Sequence, residues 1–242
     1  MSYEFFISLR YLRAKRKQVF VSIITFISIT GIFLGVAALI IVLAVMNGFE
    51  TDLREKILGI NAHVVLMQYT GMIKDHERVK EAVEQVDGVV ASTPFIYSQA
   101  MLKKGDNVHG IVLRGLSPAD ASKVINLGKT TEGGLDLLTP EGRRTLKLGP
   151  EATGLPGIIV GKELAKNLGI FLYDTLYVVS PMGISTPVGM VPRMKKFLVV
   201  GIFESGFYEY DLSLAYASLG DTQEFLNIDD LVTYEADEAN GL

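Results

Sequence analysis

The stretch nearest to a catalytic signature is Pro156-Gly-Ile-Ile-Val-Gly161-Lys162-Glu163. A phosphate-cradling loop needs glycine where Pro156 stands and Ser or Thr after the lysine, where Glu163 stands. A strand turning into a helix accounts for this stretch. His63, His76 and His109 have neither metal-ligand spacing nor a carboxylate motif beside them. No Gly-x-Ser-x-Gly elbow and no cysteine occur, so neither an activated serine nor a thiol nucleophile is signalled. The expectation is a non-catalytic chain with no metal and no cofactor of its own.

Binding chemistry is better represented. Ser180 to Phe197 joins two strand candidates, Thr175–Ser180 and Phe197–Phe203, and reads as a loop far longer than a hairpin turn. Pro181, Pro187 and Pro192 stiffen it, and Met182, Ile184, Val188, Met190 and Val191 make it apolar. A stiff apolar loop is a candidate docking surface. The alternative, an extended hairpin packed on its own domain, stands beside it.

Such a loop needs a scaffold, and the scaffold begins with an anchor. Val19 to Met46 contains no Asp, Glu, Lys, Arg or His. As a helix it reaches about 42 Å at about 1.5 Å per residue, against a hydrocarbon core of roughly 30 Å. It is too long for the apolar core of a cleaved signal peptide. Arg10, Arg13, Lys15, Arg16 and Lys17 precede it, which predicts a cytoplasmic N-terminus with the bulk of the chain on the far side. Ser28, Gly31, Gly35 and Ala38 share one helical face, and the Gly31/Gly35 pair suits close packing against another membrane helix. A lone anchor with incidental glycines is the alternative. Phe5, Phe6, Leu9 and Leu12 suit a short amphipathic helix on the inner membrane surface.

Acidic residues outnumber basic ones, 27 to 23, although the first 18 residues are net positive. The outer part is therefore acidic and a poor nucleic-acid binder. The absence of cysteine rules out disulfide support and fits a bacterial envelope protein. Helical periodicity continues past the anchor through Phe49, Leu53 and Ile57, with Gly59 as a stop. Then come a strand at 62–68, a helix after Asp75, strands at 89–91, 96–102 and 108–114, and a turn at Lys104–Asn107. Residues 128–157, rich in glycine and proline, read as a loop-rich stretch with room for short strands. A strand at 158–160, a helix at 162–168 between Gly161 and Gly169, and a short helix at 222–226 complete a mixed α+β pattern. The predicted division is 1–18 cytoplasmic segment, 19–46 transmembrane helix and 47–242 outer domain, with a helical extension at 47–59. Residues 231–242 read poorly as a domain end.

Several stretches are familiar together: Leu9–Arg13, Gly35–Leu39, Val45-Met46-Asn47-Gly48-Phe49-Glu50, Ile57–Gly59, Ile159–Ala165, Pro187–Pro192 and Gly206–Asp211. They resemble the permease subunits of the lipoprotein-releasing ABC transporter, the LolC/LolE family of Gram-negative bacteria. The resemblance runs along most of the chain. It implies an inner-membrane subunit whose α+β periplasmic domain is MacB-like, with a porter-like part and an inserted β-rich part at roughly 95–195. It implies a second permease subunit, a separate ATPase dimer that carries ATP and magnesium, a periplasmic chaperone and a lipoprotein substrate. In the LolC type a proline-containing loop hooks the chaperone, which places Pro187, Val188, Met190, Val191, Pro192 and Arg193 in that role here. The top of the first membrane helix lines the lipoprotein cavity, which points to Met46 and Phe49, with Leu53 following at helical spacing. Family members continue into three more membrane helices, so this sequence is expected to be part of a longer chain. A MacB-like permease for peptides or small molecules, and an anchored envelope sensor or structural protein, are the competing functions.

Overall fold

The computed structural model describes residues 3–14, 19–58, 64–66, 73, 76–124, 127, 131–186, 189–228 and 232–238. The chain divides into two compact units, Met1–Arg54 and Glu55–Leu242.

The first unit is helical. α1 runs Tyr3–Ala14, with Tyr3, Phe6, Ile7 and Tyr11 exposed. The side chains of Phe5, Leu9 and Leu12 lie outside the described residues. α2 runs unbroken through Val19–Leu58, 40 residues and about 60 Å at about 1.5 Å per residue. Its stretch Phe20–Arg54 is long and apolar enough to cross a membrane. Two of its hydroxyls are satisfied along the helix: Thr25 Oγ1 donates to the Val21 carbonyl at 2.8 Å and Thr51 Oγ1 to that of Asn47 at 2.9 Å. No proline interrupts it, so every backbone bond stays within the segment, as an apolar solvent demands.

The second unit is built on one sheet, β1(Val64–Leu66), β2(Val89–Lys104), β3(Asn107–Leu116), β4(Thr131–Gly133), β5(Gly157–Gly161), β6(Thr175–Thr186), β7(Gly189–Phe203), β8(Leu214–Ser218) and β9(Thr233–Glu238). The path across it is β1-β9-β2-β3-β8-β5-β7-β4, with β6 pairing both β2 and β7. β2 is the long central rail. β3 pairs along it from Phe95 to Lys104, β9 along its first half, and β6 beside Met101–Lys103. The two strands expected at 89–91 and 96–102 are therefore one. Ser92-Thr93-Pro94 reads as a break in the sequence, yet Ser92 and Thr93 are buried, and Ser92 Oγ donates to Glu84 of α3(His76–Glu84) at 3.3 Å. Part of the tail is integrated: Val232 is fully buried and β9 lies between β1 and β2, while 231 and 239–242 lie outside the described residues.

Helices cover both faces. Leu102, Leu113, Ile158, Val160, Leu176, Val178, Phe197 and Val199 pack with Leu164 of α7(Lys162–Leu168) and Phe225 of α9(Leu219–Leu226). On the other face Leu116, Ile159, Leu198, Val200, Phe203 and Tyr216 pack with Leu135 and Leu138. The described part of that loop-rich stretch, residues 131–157, is thus a cover. It holds β4, a 3₁₀ turn at Leu135–Leu138, α5(Pro140–Arg143) and α6(Pro150–Thr153). α4(Pro118–Val124) and α8(Tyr208–Ser213) complete the set. The buried Arg143 closes the cover by donating to the Leu138 carbonyl at 2.7 Å while facing Asp221 at 3.7 Å.

α7 ends where its glycines say it should, Gly169 taking φ 59° as its left-handed cap. Lys104, at the β2–β3 turn, donates to the Gly169 carbonyl and to Asp174, whose Oδ2 also accepts from the Phe171 amide at 2.8 Å. The Lys104 hydrogen bond holds the Asp174 carboxyl below its ordinary value of 3.8, with the Phe171 amide adding to it against partial burial. A depressed carboxyl contributes stability that is complete above the unfolded value and fades as pH falls through the folded one. The stability deficit of Asp174→Asn, measured by denaturant unfolding, is therefore expected to be constant from pH 7 to about 5 and to shrink below about pH 4. A deficit that does not change with pH would place the role of Asp174 in shape and not in charge.

Candidate docking hairpin and membrane helix

The apolar, proline-bearing stretch is not a loop. β6 and β7 pair as one long hairpin from Thr175↔Leu198 to Thr186↔Gly189. Pairing runs without break to Ser180↔Arg193 and resumes at Ile184↔Val191. Between those points Pro181, Met182 and Gly183 oppose Pro192 alone. The sequence explains this bulge. Neither Pro181 nor Pro192 has an N–H to donate, so the ladder lapses where they meet. Gly183 fits because a Cβ there would stand 2.4 Å from the Val191 carbonyl oxygen. A bulge bends its strand and sharpens the twist, which turns the distal arm relative to the base.

The base is fixed. Leu176, Val178, Phe197 and Val199 are buried, and the Phe197 ring meets Phe225 edge-on at 6.0 Å. Lys195 reaches Glu224 at 2.9 Å, tying the same strand to α9. The arm is open: Val191 is 51% exposed, Pro192 is exposed and Arg193 half-buried. Pro187 and Val188, at the expected tip, lie outside the described residues, as does the side chain of Met190, which pairs with Ser185. Met194, 55% exposed, and Tyr177, 42% exposed, were not singled out from sequence. The register finds them, aligning Met101–Val179–Met194 and Lys103–Tyr177–Lys196 across three strands. Only pairing partners reveal that surface.

On α2, Met46 and Phe49 are each 57% exposed and Leu53 is half-buried; their spacings of three and four place them along one side of the helix. Ser28, Gly31, Gly35 and Ala38 are exposed, and a Cβ on either glycine would meet open space. Among the described residues nothing packs against the two glycines of the small-residue face.

The profile of the family described as the MacB-like periplasmic core domain matches residues 25–239. This chain belongs to that family. In sequence it is LolC-like. It is 37% identical to the lipoprotein-releasing system transmembrane protein LolC of Neisseria meningitidis serogroup B, across 94% of this chain and 52% of that protein. It is also 37% identical to LolC of Xylella fastidiosa strain Temecula1, across 92% and 51%. Its identity to the LolE of Haemophilus influenzae is 26%, across 100% and 54%. The chain spans about half the length of these curated relatives. Among solved structures it is similar to the extracellular domain of the transporter YknZ from Gram-positive bacteria, at 12% identity over 70% of this chain and 75% of that one, TM-score 0.45. The periplasmic region of MacB from Actinobacillus actinomycetemcomitans gives 13% over 74% and 68%, TM-score 0.43. With one membrane-length helix among the described residues, ahead in sequence of an α+β sheet domain, the architecture is the fold class expected from sequence.

Proposed function

We propose that this chain is the first membrane helix and outer domain of an ABC-transporter permease subunit. That subunit takes lipoproteins from the bacterial inner membrane and passes them to a soluble chaperone. The observation that carries this reading is the bulged, proline-pinned hairpin on a MacB-like domain whose sequence is 37% identical to LolC over nearly its whole length. In this reading the N-terminus is cytoplasmic and the sheet domain periplasmic, in line with the basic cluster before α2. Pro187, Val188, Met190, Val191 and Pro192 form the chaperone hook, with Arg193 at its polar rim. The Lys103–Tyr177–Lys196 row gives the chaperone a second, flat contact beside the hairpin base. Ser28, Gly31, Gly35 and Ala38 pack against a second permease subunit, the same chain or a LolE-type sister. ATP and magnesium belong to a separate cytoplasmic ATPase, and this subunit is non-catalytic.

Met46, Phe49 and Leu53 hold the lipoprotein's acyl chains. Apolar contact is the available means of holding a lipid tail, at about 0.8 kcal/mol for each buried CH₂. Photocrosslinkers at these three positions in the assembled transporter are expected to capture lipoprotein, with capture lost when ATP drives release. Capture of neighbouring permease helices alone would assign this face to subunit packing and remove the lipid role.

A further inference from the structure

The sheet ends at β4, and a cavity of about 450 Å³ lies beside that end. Its floor is apolar: Ala165 from α7, Ile170 and Phe171 after it, and Ile202 from β7. Phe171 is 72% exposed, with the Lys104 ammonium 5.5 Å from the centre of its ring. Glu132 and Glu204 stand at the rim. The register places the cavity with respect to the strands. Glu132 pairs with Ile202, and Ile202 with Val160, so one row of side chains crosses the sheet on the α7 side and ends at Glu132. Among the described residues no strand pairs with the outer edge of β4.

A strand added beside β4 continues that row. The residue opposite Glu132 then projects over the same face, at the cavity mouth. Charge narrows the kind of strand. Lys162 bonds Glu204 at 2.6 Å and also feels the charges of Glu132 and Glu163, and Lys166 bonds Glu163, so the two cavity lysines face three carboxylates. A charged residue on an edge strand deters indiscriminate pairing and here selects a cationic partner.

We propose that β4 and this cavity are a docking site for an extended segment of a partner protein. The segment adds to the sheet edge, places a large apolar side chain in the cavity, and carries Lys or Arg at alternate positions beside it. β4 is only three residues long, so few backbone hydrogen bonds form and a short peptide binds weakly. This site is separate from the hairpin and does not rest on the permease reading.

The test uses the whole chain in detergent micelles with isotope-labelled isoleucine methyls. The probe is the blocked peptide Thr-Lys-Thr-Phe-Thr-Lys-Thr. Saturable shifts at Ile170 and Ile202 are expected. The same peptide with Glu for both Lys should bind about tenfold more weakly, or about 1.4 kcal/mol. Glu132→Lys, an exposed change, should reverse that preference. No saturable shift, equal binding of the two peptides, or a preference that Glu132→Lys leaves intact would overturn the proposal. So would detergent monomer producing the same shifts without displacement by peptide, since the cavity would then be an acyl-chain site.

Discussion

Replacing Met190 and Val191 together by Asp is expected to abolish binding of the partner proposed above, a soluble lipoprotein chaperone. The expected loss is at least about 100-fold in Kd, or about 2.7 kcal/mol. The arm beyond the bulge is narrow, so any interface it makes rests on a few apolar side chains in a desolvated centre. A carboxylate there must shed its water without gaining a partner. At Val191 the free protein has little at stake, because that side chain is 51% exposed and belongs to none of the core clusters. An exposed substitution of this kind changes stability by about 0.5 kcal/mol or less. Affinity by isothermal titration and unfolding of the same preparation separate the two effects. Binding within threefold of the unmutated chain would reduce the arm to a connector. A large loss of stability would place these side chains in packing.

The prolines also explain why this region is legible in part. Five residues that weaken strand propensity, Pro181, Gly183, Pro187, Gly189 and Pro192, fall within twelve positions, and propensity alone reads such a stretch as loop. The pairing shows otherwise: Pro181, Gly183 and Pro192 meet at the bulge, where the ladder has no bond to lose, and Gly189 pairs with Thr186. The chemical character of the stretch, stiff and apolar, was readable. Its hairpin form stood as one of two readings, and the register and bulge could not be read, because register is a property of two strands. The same holds for β8, a five-residue Leu-Ala-Tyr-Ala-Ser segment buried by the parallel partner β3, and for β9, whose Tyr-Glu-Ala-Asp-Glu is polar and becomes strand by lying between β1 and β2.

Local signals did better wherever the backbone itself is constrained. Gly161 and Gly169 bracket α7 as expected, and the uncharged run from Val19 lies within one helix. Two further signals were present and not used. Thr139-Pro140 and Gly149-Pro150 each put proline at a first helical position, and Thr139 Oγ1 accepts from the Gly142 amide at 3.1 Å. They mark α5 and α6 inside the stretch read as loop. The cavity by β4 could not be read at all. Glu132 and Ile202 are far apart in sequence, and only the sheet makes them neighbours.

Phe197→Ala is expected to have the largest effect on stability of any single change to the hairpin. The side chain is fully buried where the arm joins the sheet, opposite Leu176 in the register and edge-on to Phe225. Truncation removes a ring's worth of transfer energy and leaves a cavity that a strand held on both sides cannot collapse into, at about 3–5 kcal/mol. A domain is stable by only about 5–15 kcal/mol, so the change removes a large share of the total. At about 2–4 °C for each kcal/mol in a domain of this size, Tm should fall by roughly 10 °C. Phe197→Leu keeps most of the volume and should lose less than half as much. Hydrogen exchange gives the location: amides of β6 and β7 on either side of Phe197 should lose protection first, since the ring joins that pair to α9. Chaperone affinity should weaken with the looser base even though the arm's own residues are unchanged, the reverse of the Asp substitutions, which spare stability and remove binding. A Tm drop below about 3 °C would mean that Phe225 and its neighbours refill the space, and the arm's orientation would then owe nothing to this ring.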